Sequence, residues 1–153
     1  MITTPEIVDS PEQKIAFIHV NTPRTGILQA MHSGLDELGA ALKAQGIAPT
    51  GPWFTHHTRR PNETFDFRIC FPVEKDVKAT GRVQPGVLEA VRVARTVYSG
   101  NYDGLGGAWG EFVGWIEANH LKARADLLER YLVGPESGAG PEGWRTELNR
   151  PLV

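Results

Sequence analysis

Cysteine is almost missing from this chain. Cys70 is the only one in 153 residues, so no internal disulfide can form, and a reducing cytoplasm is the expected setting. No apolar run approaches the ~20 residues that span a bilayer. The start, Met1-Ile2-Thr3-Thr4-Pro5-Glu6, lacks the basic-then-apolar order of a secretory signal. Neither charge dominates: 16 Lys and Arg against 18 Asp and Glu leave a net charge of -2 with no basic block. That argues against a phosphate-binding surface as the main business of the molecule. Metal donors at ligand spacing are lacking too. His19, His32 and His120 have no partner, and the adjacent His56 and His57 would point to opposite faces of a strand. No metal and no cofactor are expected. Nothing near Cys70 in sequence would lower its pKa, which weakens a nucleophilic role. What is left, 41% hydrophobic and 22% charged, suits one soluble domain with a sizeable core.

The periodicities that are present predict a duplicated plan. Ile15 to Val20 reads as a strand, ended by Pro23 and Gly26. Ile27, Leu28, Met31, Leu35, Leu38 and Leu42 then recur at helical steps, and Gly46 and Pro49 stop that helix. Trp53 to Thr58 reads as a strand, Arg60 to Glu63 as a turn, and Phe65, Phe67, Ile69 and Phe71 alternate as a half-buried strand. After a connector from Glu74 to Gly81 the order repeats. Val87 to Tyr98 reads as a strand, Leu105 to Ile116 as a helix, Leu127 to Val133 as a strand, residues 134–141 as a long turn, and Trp144 to Leu148 as the last strand. Met31, Leu35, Leu38 and Leu42 overlay Leu105, Trp109, Phe112 and Ile116, and Phe71-Pro72-Val73 overlays Arg150-Pro151-Leu152. The expectation is an α+β fold: a duplicated β-α-β-β unit with pseudo-twofold symmetry, whose curved antiparallel sheet carries two helices on one face. The single domain spans residues 1–153, with halves of about 1–75 and 82–153.

Several residues invite a functional reading. Gly104, Gly106 and Gly110 have a phosphate-loop-like G-x-G-x-x-x-G spacing, but the glycines here sit largely inside the helical stripe and no βαβ series follows. Gly104, Gly107, Gly110 and Gly114 share one side of the helix, either for close approach by a neighbour or by simple tolerance. Trp109 lies on the apolar stripe, as core or wall, and Trp115 borders the glycine side with Glu111. The repeat overlay sets Glu147 against Arg68 and Arg145 against Asp66. Glu147 then either joins a cross-strand ion network on a wet sheet face or lies in the seam between halves, where it could meet a cationic ligand or act as a general acid or base.

Tyr98-Ser99-Gly100-Asn101-Tyr102-Asp103-Gly104-Leu105, then Ala108-Trp109 and Trp115, resembles the signature turn and helix of the GyrI-like small-molecule-binding family, also called the bacterial transcription-activator effector-binding domain. Glu129-Arg130-Tyr131-Leu132, Gly134-Pro135, Trp144-Arg145-Thr146-Glu147-Leu148 and Arg150-Pro151-Leu152 look like its closing strands. The resemblance implies a duplicated β-α-β-β fold and a ligand groove between halves, lined by aromatics and holding a glutamate. Glu147 matches that acid best, with Trp109, Trp115, Tyr131 and Tyr98 as walls and Arg68 opposite Glu147 in the overlay. Asn149-Arg150 stands where an aromatic is usual, making this end more polar.

The first functional expectation is therefore a stand-alone, multidrug-type protein binding amphipathic or cationic small molecules. The second, implied by stand-alone relatives, is a hydrolase that opens the strained cyclopropane ring of DNA-alkylating natural products, with Glu147 acting on water and Tyr98 or Tyr131 as proton donor. The third is a protein partner, as in a gyrase inhibitor. Direct DNA binding is not expected, because the two repeats consume the chain and leave no helix-turn-helix.

Overall fold

The computed structural model describes residues 1–59 and 63–153. Among these residues the strands are β1 (Glu6–Ser10), β2 (Gln13–Pro23), β3 (Phe54–His57), β4 (Thr64–Pro72), β5 (Gln84–Leu88), β6 (Val91–Ser99), β7 (Leu127–Val133) and β8 (Arg145–Pro151). The helices are α1 (Ile27–Ala44) and α2 (Leu105–Ala118). The fold is α+β, and β-α-β-β occurs twice, as β2-α1-β3-β4 and as β6-α2-β7-β8. The chain forms two compact units, Pro11–Ala90 and Met1–Ser10 with Val91–Val153.

In the unit of Pro11–Ala90 the strand order is β5-β2-β4-β3, all antiparallel. Ala16, Ile18 and Val20 of β2 and Phe67 and Ile69 of β4 face α1, where Leu38 and Leu42 close the core. Each such fully buried leucine contributes roughly 1.5–3 kcal/mol. The helix stops where the sequence predicts: Gly46 takes φ +67, and the Ile47 amide donates to the Leu42 carbonyl at 2.9 Å. In the other unit the order is β1-β6-β8-β7, again antiparallel. Ala94, Tyr98 and Leu148 face α2, packed by Ala108, Phe112 and Ile116. The proline pair also falls as expected, since Pro72 ends β4 and Pro151 ends β8.

Three differences have physical causes. The stretch Val87 to Tyr98 is two strands rather than one, broken at Glu89 and Ala90. β5 pairs with β2, whereas β6 pairs with β1 and β8. Pro85 and Gly86 are tolerated there because β5 is an edge strand. Second, β1 is a strand that the sequence pattern does not announce: its five residues, Glu-Ile-Val-Asp-Ser, do not alternate strictly between apolar and polar and are mostly exposed. It joins the sheet of residues 91–153, so residues 1–10 belong with the second unit rather than the first half. Third, Trp53 to Thr58 narrows to Phe54–His57. The expected turn at Arg60 to Glu63 falls, for residues 60–62, outside the described residues.

The glycine side of α2 is open. At Gly106, Gly107, Gly110 and Gly114 a Cβ would meet no atom within 4 Å. Close approach is confined to the turn before the helix, where a Cβ on Gly104 would overlap the Tyr98 hydroxyl. Tyr98 is buried and donates to the Asn101 carbonyl at 2.8 Å, so its ring has little freedom to retreat. Gly104→Ala should therefore lower stability by about 1–3 kcal/mol. Gly110→Ala should raise it by up to about 1 kcal/mol. Urea unfolding of both variants checks the contrast, and equal effects would remove the steric explanation.

Cys70 is fully buried in β4, and burial pushes its thiol up to about 12 despite the Arg68 charge. Native protein should resist a thiol-alkylating reagent for a time in which the urea-unfolded chain is fully labelled. Intact mass spectrometry reads the result.

Candidate functional site

The site-forming chemistry collects on the α2-facing side of the second unit. β7 alternates, so Leu127, Glu129 and Tyr131 share one face, while Leu128 and Arg130 share the other. That face meets α2, and the Trp109 indole N–H donates to Glu129 Oε2 at 2.7 Å. The Tyr131 hydroxyl donates to Glu129 Oε1, also at 2.7 Å. Both carboxylate oxygens are thus held by neutral donors, and among the described residues no cation pairs with them. Burial raises the Glu129 carboxyl above its ordinary value, while the Trp109 and Tyr131 bonds pull the other way.

Aromatic rings continue this cluster. Tyr102, from the 3-10 turn before α2, meets Tyr131 edge-on at 6.1 Å and Trp144 in a tilted stack at 5.0 Å between centroids. Burial, then the Glu136 and Glu129 charges, raise the Tyr102 phenol, which keeps it protonated at neutral pH. Trp109 packs on Phe112 at 5.8 Å, joining the cluster to the core. An anionic acceptor walled by indole and phenol rings is suited to an apolar cation, through charge and through the negative faces of the rings.

The sequence-predicted residues divide. Trp109 and Tyr131 come together on Glu129. Tyr98 is in the same sheet face, but its hydroxyl is engaged by the Asn101 carbonyl. Trp115 packs against the core beneath α2. Glu147 lies on the opposite face of β8, where it binds Arg130, sits 3.3 Å from Arg95 and accepts a bond from Asn149 at 2.9 Å. This is the cross-strand ion network that the repeat overlay allows for Glu147. Arg68 is in the other unit, on the β4 face turned from α1, with its guanidinium 4.5 Å from the Phe17 ring centroid. Glu129, Tyr102 and Trp144 were missed. The available signal was a lone carboxylate in the apolar row Leu127-Glu129-Tyr131, which strand alternation turns inward.

Among the described residues no group of three or more His, Cys, Asp or Glu could hold a metal ion, and no helix is long and apolar enough to cross a membrane.

The architecture is that of a duplicated β-α-β-β ligand-binding module. The chain belongs to the GyrI-like small molecule binding domain family, whose sequence model matches residues 3–152. No curated protein matches it. Among solved structures, the EcmrR C-terminal domain superposes with a TM-score of 0.88 at 20% identity, over 98% of this chain and 97% of that one. EcmrR in a DNA complex gives a TM-score of 0.86 at 20% identity over 97% of this chain, which spans only 57% of that longer chain. SAV2435 bound to tetraphenylphosphonium gives 0.71 at 11% identity, over 99% and 94% of the two chains. A hydrolase from Listeria innocua gives 0.68 at 15% identity, over 97% and 91%. At these identities the likenesses establish the fold.

Proposed function

We propose that this protein binds amphipathic organic cations at the Glu129 cluster. The observation that carries the reading is Glu129 itself, a carboxylate covered by Trp109 and Tyr131 and lacking a cationic partner among the described residues. Uncompensated charge in such surroundings is costly. A ligand cation supplies the missing charge, and the rings of Tyr102, Trp109, Tyr131 and Trp144 supply apolar contact at roughly 25 cal/mol per Å² buried. The tetraphenylphosphonium held by SAV2435, a protein of the same fold, supports this ligand class. Glu147 is the less suitable acid, because Arg95 and Arg130 already balance it. The test is saturable quenching of tryptophan fluorescence by tetraphenylphosphonium. Quenching that stays linear with concentration, as free collision gives, would count against the proposal.

A second reading is hydrolytic, favoured by the Glu129–Tyr131 bond and by the hydrolase of the same fold. Glu129 would take a proton from water as the water oxygen bonds to a cyclopropane carbon. The breaking C–C bond would leave its electron pair on the conjugated carbonyl, which is then protonated. Tyr131 is better placed than Tyr98 to deliver that proton, since Tyr98 is bonded to Asn101. Incubation with a cyclopropane-bearing alkylator should yield a product heavier by one water, at a rate that Glu129→Gln abolishes.

A further inference from the structure

The duplication allows the binding cluster to be compared with its own repeat. β3 pairs with β4 as β7 pairs with β8: Thr55 lies opposite Ile69 where Glu129 lies opposite Leu148, and His57 opposite Phe67 where Tyr131 lies opposite Thr146. Val20 opposite Phe67 likewise corresponds to Tyr98 opposite Thr146. Each helix-facing row therefore crosses three strands, as Val20–Phe67–His57 in one unit and Tyr98–Thr146–Tyr131 in the other.

The central position differs most. Phe67 is a fully buried ring stacked on His57 at 4.9 Å, so its unit fills the middle of the row with hydrocarbon. Thr146 is small, fully buried, and its hydroxyl has no hydrogen-bond partner among the described residues. The hydroxyl protons of its two tyrosine neighbours are committed elsewhere. Tyr98 donates to Asn101 and Tyr131 donates to Glu129. A buried hydroxyl without a partner costs about 1–3 kcal/mol, so its retention in a packed site calls for an explanation. Diagonal neighbours on an antiparallel pair lie roughly 7–8 Å apart, which places Thr146 within one ligand's length of Glu129. Tyr102, 36% exposed, is the most solvent-facing ring of the cluster and marks the side of entry.

We propose that Thr146 is a second polar anchor of the ligand site, selecting cations that carry a hydrogen-bonding group over cations that are wholly hydrocarbon at their surface. The inference rests on the cation-binding reading of Glu129 and adds a specificity residue to it. It also makes the site single, because Phe67 occupies the corresponding place in the other unit. The preferred ligand class is a flat aromatic cation with an amino or hydroxyl substituent some ångströms from its charge, the charge meeting Glu129 and the substituent meeting Thr146 Oγ1.

The experiment compares two probes, 9-aminoacridine, which carries N–H donors, and tetraphenylphosphonium, which has none. Fluorescence titration is run on the wild type and on Thr146→Val, Thr146→Ser and Glu129→Gln. Thr146→Val keeps the shape and removes the hydroxyl. It should weaken 9-aminoacridine about five- to tenfold and leave tetraphenylphosphonium within about twofold. Thr146→Ser, which restores a hydroxyl, should recover most of the loss. Removal of an unpaired buried group should also hold or raise the thermal midpoint, so lost affinity is not lost folding. Equal weakening of both probes would make Thr146 a filler and overturn the proposal, as would no effect on either. If Glu129→Gln weakens both probes while Thr146→Val is silent, the anchor falls and the cation site stands. If neither substitution alters either titration, both fall.

Discussion

Glu129→Gln should weaken tetraphenylphosphonium binding by about thirtyfold or more, corresponding to roughly 2 kcal/mol or more for removing one member of a desolvated charge pair. The substitution keeps the side-chain length and an oxygen for Trp109 or Tyr131. It removes the charge that faces the ligand and turns the other oxygen into an amide donor, which the Tyr131 hydroxyl can accept. Folding should survive, because the variant no longer desolvates a carboxylate. The pH dependence sharpens the test. Burial raises the Glu129 carboxyl, so over the acid range the unliganded site holds a proton that a cation must displace. Affinity for a permanently charged phosphonium should then rise with pH through that titration and become flat in the glutamine variant. Glu147→Gln acts on the other sheet face, within the Arg95 and Arg130 pair, and should change phosphonium affinity little. A larger loss at Glu147 than at Glu129 in parallel titrations would reverse the assignment.

The largest expected effect on stability comes from His57. It is buried against Phe67 and Phe65, its Nδ1 has no partner among the described residues, and burial, then the His56 charge, lower its pKa to about 4. The sign follows from proton counting. Between pH 6.5 and about 4 the unfolded chain binds a proton at this histidine and the folded chain does not, so stability falls as the solution is acidified. At higher pH both states are neutral and the residue adds no slope. Lowering the pKa from 6.5 to about 4 corresponds to about 3 kcal/mol, lost in full below pH 4. His57→Phe, which continues the stack without a titrating group, should flatten the urea midpoint over that window. Persistence of the full acid slope in this variant would assign it to the carboxylates instead.

Much of the fold was legible because burial imposes period. The steps of Leu35, Leu38 and Leu42 and of Trp109, Phe112 and Ile116 give both helices, and the alternation of Phe65, Phe67, Ile69 and Phe71 gives β4. Edge strands escape such reading: β1 and β5 bury little, so their residues carry no periodic mark. The site was half legible. Trp109 and Tyr131 could be found as aromatics on inward faces, but the acid was sought in β8 through the charge overlay of Glu147 with Arg68. Strand alternation turns Glu147 toward Arg130 and Glu129 toward Trp109, so the two carboxylates have opposite surroundings. Thr146 carries no mark in the sequence at all. It becomes conspicuous only when its hydroxyl is seen buried and the ring of Phe67 is seen at the matching place.

The course of the chain sets an order of assembly. Within residues 11–90, β2 pairs with β4 and β5, and β3 pairs with β4, so these pairings are available as soon as β5 is made. β1, though synthesised first, has no partner until β6 appears, pairing Ile7 with Ala94. Long closure of this kind is slow relative to local pairing. The half that carries Glu129 is therefore the last to form on the ribosome, so a nascent chain has the pairings of residues 11–90 in place before the Glu129 cluster is complete.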